Sequence, residues 1–134
     1  SGQICASTQR ILVPEQMKDP FVKLFTDKIS KLRRDLDLGA ITMPKQKEVY
    51  ERQLTDAKQR DLEILAGGEW RPDRSSLEPT VITGKHVEDS DVYQNETFGP
   101  IKTITTYQSV AEAIEKANST RYGLLASVIT SNPS

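Results

Sequence analysis

The chain has 134 residues, 36% hydrophobic and 28% charged, with a formal net charge of -1. That length builds one core and one domain. A near-neutral chain with no long basic block offers no footprint for nucleic acid or an anionic membrane, and no apolar run reaches transmembrane length or reads as a signal peptide. The only cysteine, Cys5, cannot close an intrachain disulfide, which points to a reducing, cytoplasmic setting. One cysteine and one distant histidine, His86, make no zinc site, so no metal is expected.

In chain order, Arg10-Ile11-Leu12-Val13 is a short apolar run stopped by Pro14 and predicts a buried strand. Asp19-Pro20 predicts a helix start, with Asp as cap and Pro in the first helical position. Phe21, Val22, Phe25, Ile29, Leu32 and Leu36 then recur at helical spacing, and the helix is expected to run to about Arg34. Leu38 to Ile41 is a connection, and Pro44 opens a second helix to Lys58 with Val49, Tyr50, Leu54 and Ala57 on its apolar side. Glu63 to Ala66 predicts a short strand ending at Gly67-Gly68, and Glu69 to Leu77 a polar loop. Pro79 to Thr83 is β-branched and predicts a strand.

His86 to Gln94 is acidic and irregular, and Ile101 to Tyr107 is a third β-rich run. Ser109 followed three residues later by Glu112 is a capping-box pattern, opening a helix with Val110, Ile114 and Ala117 on one face. Tyr122-Gly123 turns into Leu124 to Ile129, apolar throughout but for Ser127 and predicted as a further strand. This alternation predicts an α/β domain with a mainly parallel sheet flanked by helices, the class that carries its sites at strand ends and helix starts.

Two stretches carry possible chemistry. Cys5 sits among Gly2, Gln3, Ala6, Ser7 and Thr8, small or polar residues that let a substrate approach a thiol. A helical turn over Cys5 to Gln9 would favour the thiolate, which is the nucleophilic form. Composition alone favours an inert buried cysteine, the commoner case. In the second stretch, Gln94 to Pro100, Glu96 and Phe98 flank a Gly99-Pro100 turn just before a strand. A carboxylate there suits a ribose diol and an aromatic suits a flat ring, although read alone an ordinary loop with one core Phe is the stronger account. His86 reads as a solvated loop residue, Gly67-Gly68 lacks the ending of a phosphate loop, and Trp70 reads as a packing anchor.

Taken together, the stretches GQICASTQRILV and NETFGP resemble the two signature segments of the NAD(P)-dependent aldehyde dehydrogenase superfamily, and LGAITMPKQ, ILAGGEW, PTVIT and AIEKANSTRYGLLASVIT follow the same family. The resemblance covers essentially the whole chain and implies the aldehyde dehydrogenase catalytic-domain fold, truncated. Residues 1–134 are then expected to be part of the cysteine-containing catalytic domain, with the dinucleotide-binding domain, the general-base glutamate, the oxyanion-hole asparagine and the last family segment absent. The resemblance implies an enzyme that oxidises an aldehyde to a carboxylic acid with NAD or NADP through a cysteine thiohemiacetal and thioester. Cys5 corresponds to the nucleophile, its backbone N–H to half of the oxyanion hole, Glu96 to the ribose-binding carboxylate and Phe98 to the aromatic beside the nicotinamide. Gln46 corresponds to a cofactor-contacting position, although Val49 stands where some members carry lysine and Asn95 where many carry glutamate. Arg33 to Asp37 is a shortened connection.

The resemblance implies a homo-oligomeric parent, and the isolated piece is expected to be inactive and to self-associate through uncovered surfaces. The alternatives are a non-catalytic interaction or structural module, or slow chemistry of the thiol alone.

Overall fold

The computed structural model describes residues 2–33 and 36–132. The predicted helix end at Arg34, the Arg34-Asp35 part of the shortened connection, Ser1, Pro133 and Ser134 lie outside them.

Four strands form one sheet: β1 (Arg10–Pro14), β2 (Glu63–Ala66), β3 (Thr80–Thr83) and β4 (Ile101–Tyr107), in the order β1-β4-β3-β2. β1 and β3 both run parallel to β4, while β2 is antiparallel to β3. The helices are α1 (Lys18–Ser30), α2 (Gln46–Gln59), the single turn α3 (Asp91–Gln94) and α4 (Val110–Asn118). This is the predicted α/β class with a mainly parallel sheet.

Strand alternation divides the core into two layers. On one face Ile82 and Ile101 pack with Tyr50, Leu54 and Ala57 of α2 and with Leu62, Leu77, Val87 and Val92. On the other face Val13, Val81 and Ile104 pack with Phe21, Val22, Phe25 and Ile29 of α1. Trp70 is the packing anchor expected of it: it lies 6.1 Å from the Tyr50 ring, with Arg74 and Lys47 over its face.

Several boundaries differ from expectation. α1 follows a 3-10 turn at Glu15–Met17 and begins at Lys18, so Asp19 lies inside the first turn. There its charge favours the exposed N–H groups without capping them. α1 stops at Ser30, and Leu32 and Leu36 fall beyond it, exposed. Turns occupy Pro44 and Lys45, and α2 begins at Gln46. The segment expected to be irregular after His86 holds a 3-10 turn at Val87–Asp89 and then α3.

The largest correction concerns Leu124 to Ile129, which forms no strand. A run apolar on both faces needs neighbours on both. No strand among the described residues pairs with it, and Leu124, Leu125, Val128 and Ile129 stand exposed.

The cap of α4 forms as the sequence predicts: Ser109 Oγ accepts from the Glu112 N–H at 3.2 Å, and the Glu112 carboxylate accepts from the Gln108 N–H at 2.8 Å. Its apolar face is uncovered, with Val110 and Ile114 exposed. α4 therefore depends on local terms more than the other long helices do. Ser109→Ala is expected to cost about 1 kcal/mol, read as earlier thermal loss of helical circular dichroism. An unchanged melting curve would show that the cap is idle.

Candidate active site

Parallel pairing of β1 with β4 brings the two singled-out stretches together. Arg10 lies opposite Thr103, and the Thr103 N–H donates to Gln9 O at 3.0 Å. The segment leading into β1 (residues 2–9) and the segment leading into β4 (residues 94–100) therefore reach the same, amino, end of the sheet. Ligands in such sheets usually bind at the carboxyl ends. That opposite end holds a smaller cleft of about 240 Å³ lined by polar groups including Lys18, His86, Glu88 and Lys116. His86 is exposed, as expected of a loop histidine.

Cys5 occupies a tight turn, closed by the Ser7 N–H donating to Ile4 O at 3.0 Å. The expected helical turn over Cys5 to Gln9 is absent, because Gln9 is drawn straight into β1 by the Thr103 contact. No helix dipole acts on the thiol from its own segment. The thiol is exposed, which removes the inert-buried account of it. The backbone N–H of Cys5 donates to no acceptor among the described residues. Gln3 holds the loop from the far side: its amide donates to Ala40 O at 2.8 Å and its Oε1 accepts from the Thr42 N–H at 2.9 Å.

The second segment is held by side chains that sequence reasoning did not single out for the site. Buried Gln53 donates to Glu96 O at 3.4 Å and accepts from Thr97 Oγ1 at 2.9 Å. Gln9 accepts from the Thr97 N–H at 3.1 Å and donates to Val92 O at 2.9 Å. The Tyr50 hydroxyl donates to Phe98 O at 2.9 Å. Burial keeps that phenol neutral, pushing its pKa up to about 12. Phe98 sits in the left-handed region, φ 51°, a conformation rare for a residue with a side chain. The cage of Gln9, Gln53 and Tyr50 holds it there. Only polarity inside an otherwise apolar α2 stripe, at Gln53, was a signal available in the sequence.

Gln46, at the start of α2, donates to Thr97 O. With Glu96 and Phe98 it lines an open cavity of about 430 Å³ that also takes in Met43, Arg52 and Tyr122. The structure thus gathers Gln46, Glu96 and Phe98 in one concavity. Cys5 does not line it; its loop reaches the same sheet end. Among the described residues the Glu96 side chain makes no hydrogen bond or ion pair and is exposed.

One more charged group belongs to this end of the sheet. Lys102, the second residue of β4, directs its ammonium to Ser7 Oγ at 3.0 Å and Gly99 O at 3.2 Å, joining the two segments. Its surroundings desolvate it and bring its pKa down to about 8.

The family model of the aldehyde dehydrogenase family matches residues 1–134. A putative succinate-semialdehyde dehydrogenase [NADP(+)] of Mycolicibacterium smegmatis is 39% identical over 96% of the chain. The chain spans about a quarter of such relatives, 26% of that one's length. Among solved structures, an NAD-dependent aldehyde dehydrogenase from Sinorhizobium meliloti superimposes with a TM-score of 0.89 at 30% identity, covering 98% of this chain and 28% of that one. Betaine aldehyde dehydrogenase from Staphylococcus aureus, in complex with NAD+, gives 0.83 at 30% identity over 92% of this chain and 26% of that one.

Proposed function

The chain belongs to the aldehyde dehydrogenase family, and we propose that it is the cysteine-bearing part of the catalytic domain of an NAD(P)-dependent enzyme that oxidises an aldehyde to a carboxylic acid. The observation that carries this reading is that the Cys5 loop and the Glu96–Phe98 turn reach the same amino end of β1 and β4, tied together through Gln9 and Lys102.

The thiolate of Cys5 adds to the aldehyde carbonyl carbon, forming a C–S bond and leaving negative charge on oxygen. The unpartnered Cys5 N–H is a donor available to that oxygen. The aldehyde hydrogen leaves as hydride, for which NAD or NADP supplies the acceptor. Water then cleaves the thioester on Cys5, releasing the acid and restoring the thiol.

The residues present suit one end of such a cofactor. Glu96 offers an exposed carboxylate to a ribose diol, Phe98 a partly exposed ring to a flat heterocycle, and Gln46 fixes the wall between them. A cavity of about 430 Å³ takes part of a dinucleotide, not all of it. These 134 residues by themselves are therefore expected not to turn over. Their exposed apolar residues, with an open edge on β1, support association with further copies or with more of the same protein. No helix among the described residues is long and apolar enough to cross a membrane.

The test is made in the protein that contains this chain. Cys5→Ser is expected to lower kcat for NAD(P)-dependent aldehyde oxidation by about a thousandfold or more, because no weaker nucleophile substitutes. Glu96→Gln is expected to act mainly on the KM for the cofactor. A Cys5→Ser enzyme that keeps a tenth or so of its rate would remove this reading.

A further inference from the structure

We propose that Lys102 is a positioning residue for the nucleophile: its ammonium pins the loop that carries Cys5 onto the Phe98–Gly99 turn and so sets where the thiol stands relative to Glu96 and Phe98. This rests on the reading of Cys5 as nucleophile.

The geometry is specific. Lys102 shares its strand parity with Ile104, so its stem leaves the sheet on the α1 side, at the amino end of β4. The loop of residues 2–7 closes over it. Ser7 Oγ is 3.0 Å away, Gly99 O is 3.2 Å away, and a Cβ added to Gly2 would come within 3.0 Å of the ammonium. Gly2, at φ 75°, packs its α-carbon against Gly99 O in the same spot. Two points of one loop and one point of the other segment thus converge on a single nitrogen.

The groups facing it are a hydroxyl, a carbonyl and the glycine backbone. Among the described residues no carboxylate pairs with it and no second cation adjoins it. A partly buried ammonium held only by neutral acceptors is costly, because burial removes much of its water and nothing of opposite charge replaces it. Stability would be served better by an apolar residue there, so the cation is best explained by what it holds. Charge-assisted bonds are about twice as strong as neutral ones, so the pin is tight while the amine is protonated and slackens as it loses its proton. With the pKa brought down to about 8 by desolvation, that change falls within the working range of many enzymes.

The experiment compares wild type, Lys102→Met and Lys102→Arg by amide hydrogen exchange of residues 2–9 at several pH values, each corrected for intrinsic exchange. The Met variant is expected to exchange these amides about tenfold faster than wild type at about pH 7, the loss of one charge-assisted hydrogen bond. Wild type is expected to approach the Met variant above about pH 8.5, while the Arg variant, which stays charged, keeps its protection there. A purely space-filling role would give no such separation of wild type from Arg with pH. Equal protection in wild type and Met, or wild type and Arg loosening at the same pH, overturns the proposal. If the Met variant fails to fold, the comparison of wild type with Arg decides alone. Exchange reads the loop and not turnover, so failure of the nucleophile assignment appears in the Cys5→Ser kinetics and failure of the pin appears here.

Discussion

Replacing Gly99 by alanine is expected to destabilise the domain by about 3 kcal/mol, lowering the urea midpoint by roughly 1–2 M. A Cβ at Gly99 would collide with the Tyr50 hydroxyl and with two carbons of its ring. Tyr50 cannot retreat. It is fully buried, it packs on Trp70, and its hydroxyl is committed to Phe98 O. The other side of Gly99 is equally closed, since its carbonyl meets both Gly2 and the Lys102 ammonium. Strain has nowhere to go but into the Phe98 backbone or the core. Tyr50→Phe should not rescue the variant, because the ring carbons still block the site. Tyr50→Leu should restore part of the loss. A Gly99→Ala midpoint within experimental error of wild type would mean that the turn is free to move, and the rigid cage described for Phe98 would be wrong.

Lys102→Met is expected to stabilise the folded domain at neutral pH by about 1–2 kcal/mol, an unusual direction for a substitution at a proposed active site. The sign follows from proton linkage. The folded chain holds the Lys102 proton with a pKa of about 8, against 10.5 for the unperturbed group. Between those values the unfolded chain binds the proton and the folded chain does not, so stability rises with pH through that window. Below about pH 8 the full cost of burying the ammonium is in place. The shift corresponds to about 3 kcal/mol, reduced by the lysine's residual exposure and by the two hydrogen bonds that methionine forfeits. Urea denaturation at about pH 7 and about pH 10.5 checks it: the variant leads at the lower pH, and the two curves converge at the higher. Tyr50 acts with the opposite sign. Its raised pKa makes stability fall as pH rises from 10 to about 12, but it is common to both proteins and cancels in the difference. A Met variant less stable than wild type at neutral pH would show that Lys102 supports the fold rather than taxing it. The expected gain is global, whereas the loosening proposed for residues 2–9 is local, and the two are measured separately.

The elements that the sequence predicted well are those whose signals are local. The β-branched run at Thr80–Thr83, the β-rich run Ile101–Tyr107 and the Ser109 cap each carry their own chemistry, and each forms. Leu124 to Ile129 carries an equally strong strand signal and forms none, because a strand exists only against a neighbour, and periodicity says nothing about whether one is present. The site divides in the same way. Gln46, Glu96 and Phe98 stood out as a group only through family resemblance, and the structure gathers them in one concavity. Gln9 and Gln53, which hold the turn, are ordinary polar residues until the pairing of β1 with β4 and the packing of α2 turn them inward. Lys102 is the least legible of all. In Ile101-Lys102-Thr103-Ile104 it occupies the place of a solvent-facing residue, and only the loop folded over it, contributed from nearly 100 positions earlier, makes it a partly buried cation.

Among the described residues β1 has one partner strand, β4. On a ribosome adding about 5–20 residues per second, the stretch behind Cys5 waits roughly 5–20 seconds for its partner to be synthesised. Through that interval the thiol lacks its sheet partner and is open to oxidants and electrophiles. The pairing that finally seats it also arrives only after α1, α2 and β3 have been made. That order of synthesis leaves the only thiol of the chain without its sheet support for a period in every round of synthesis.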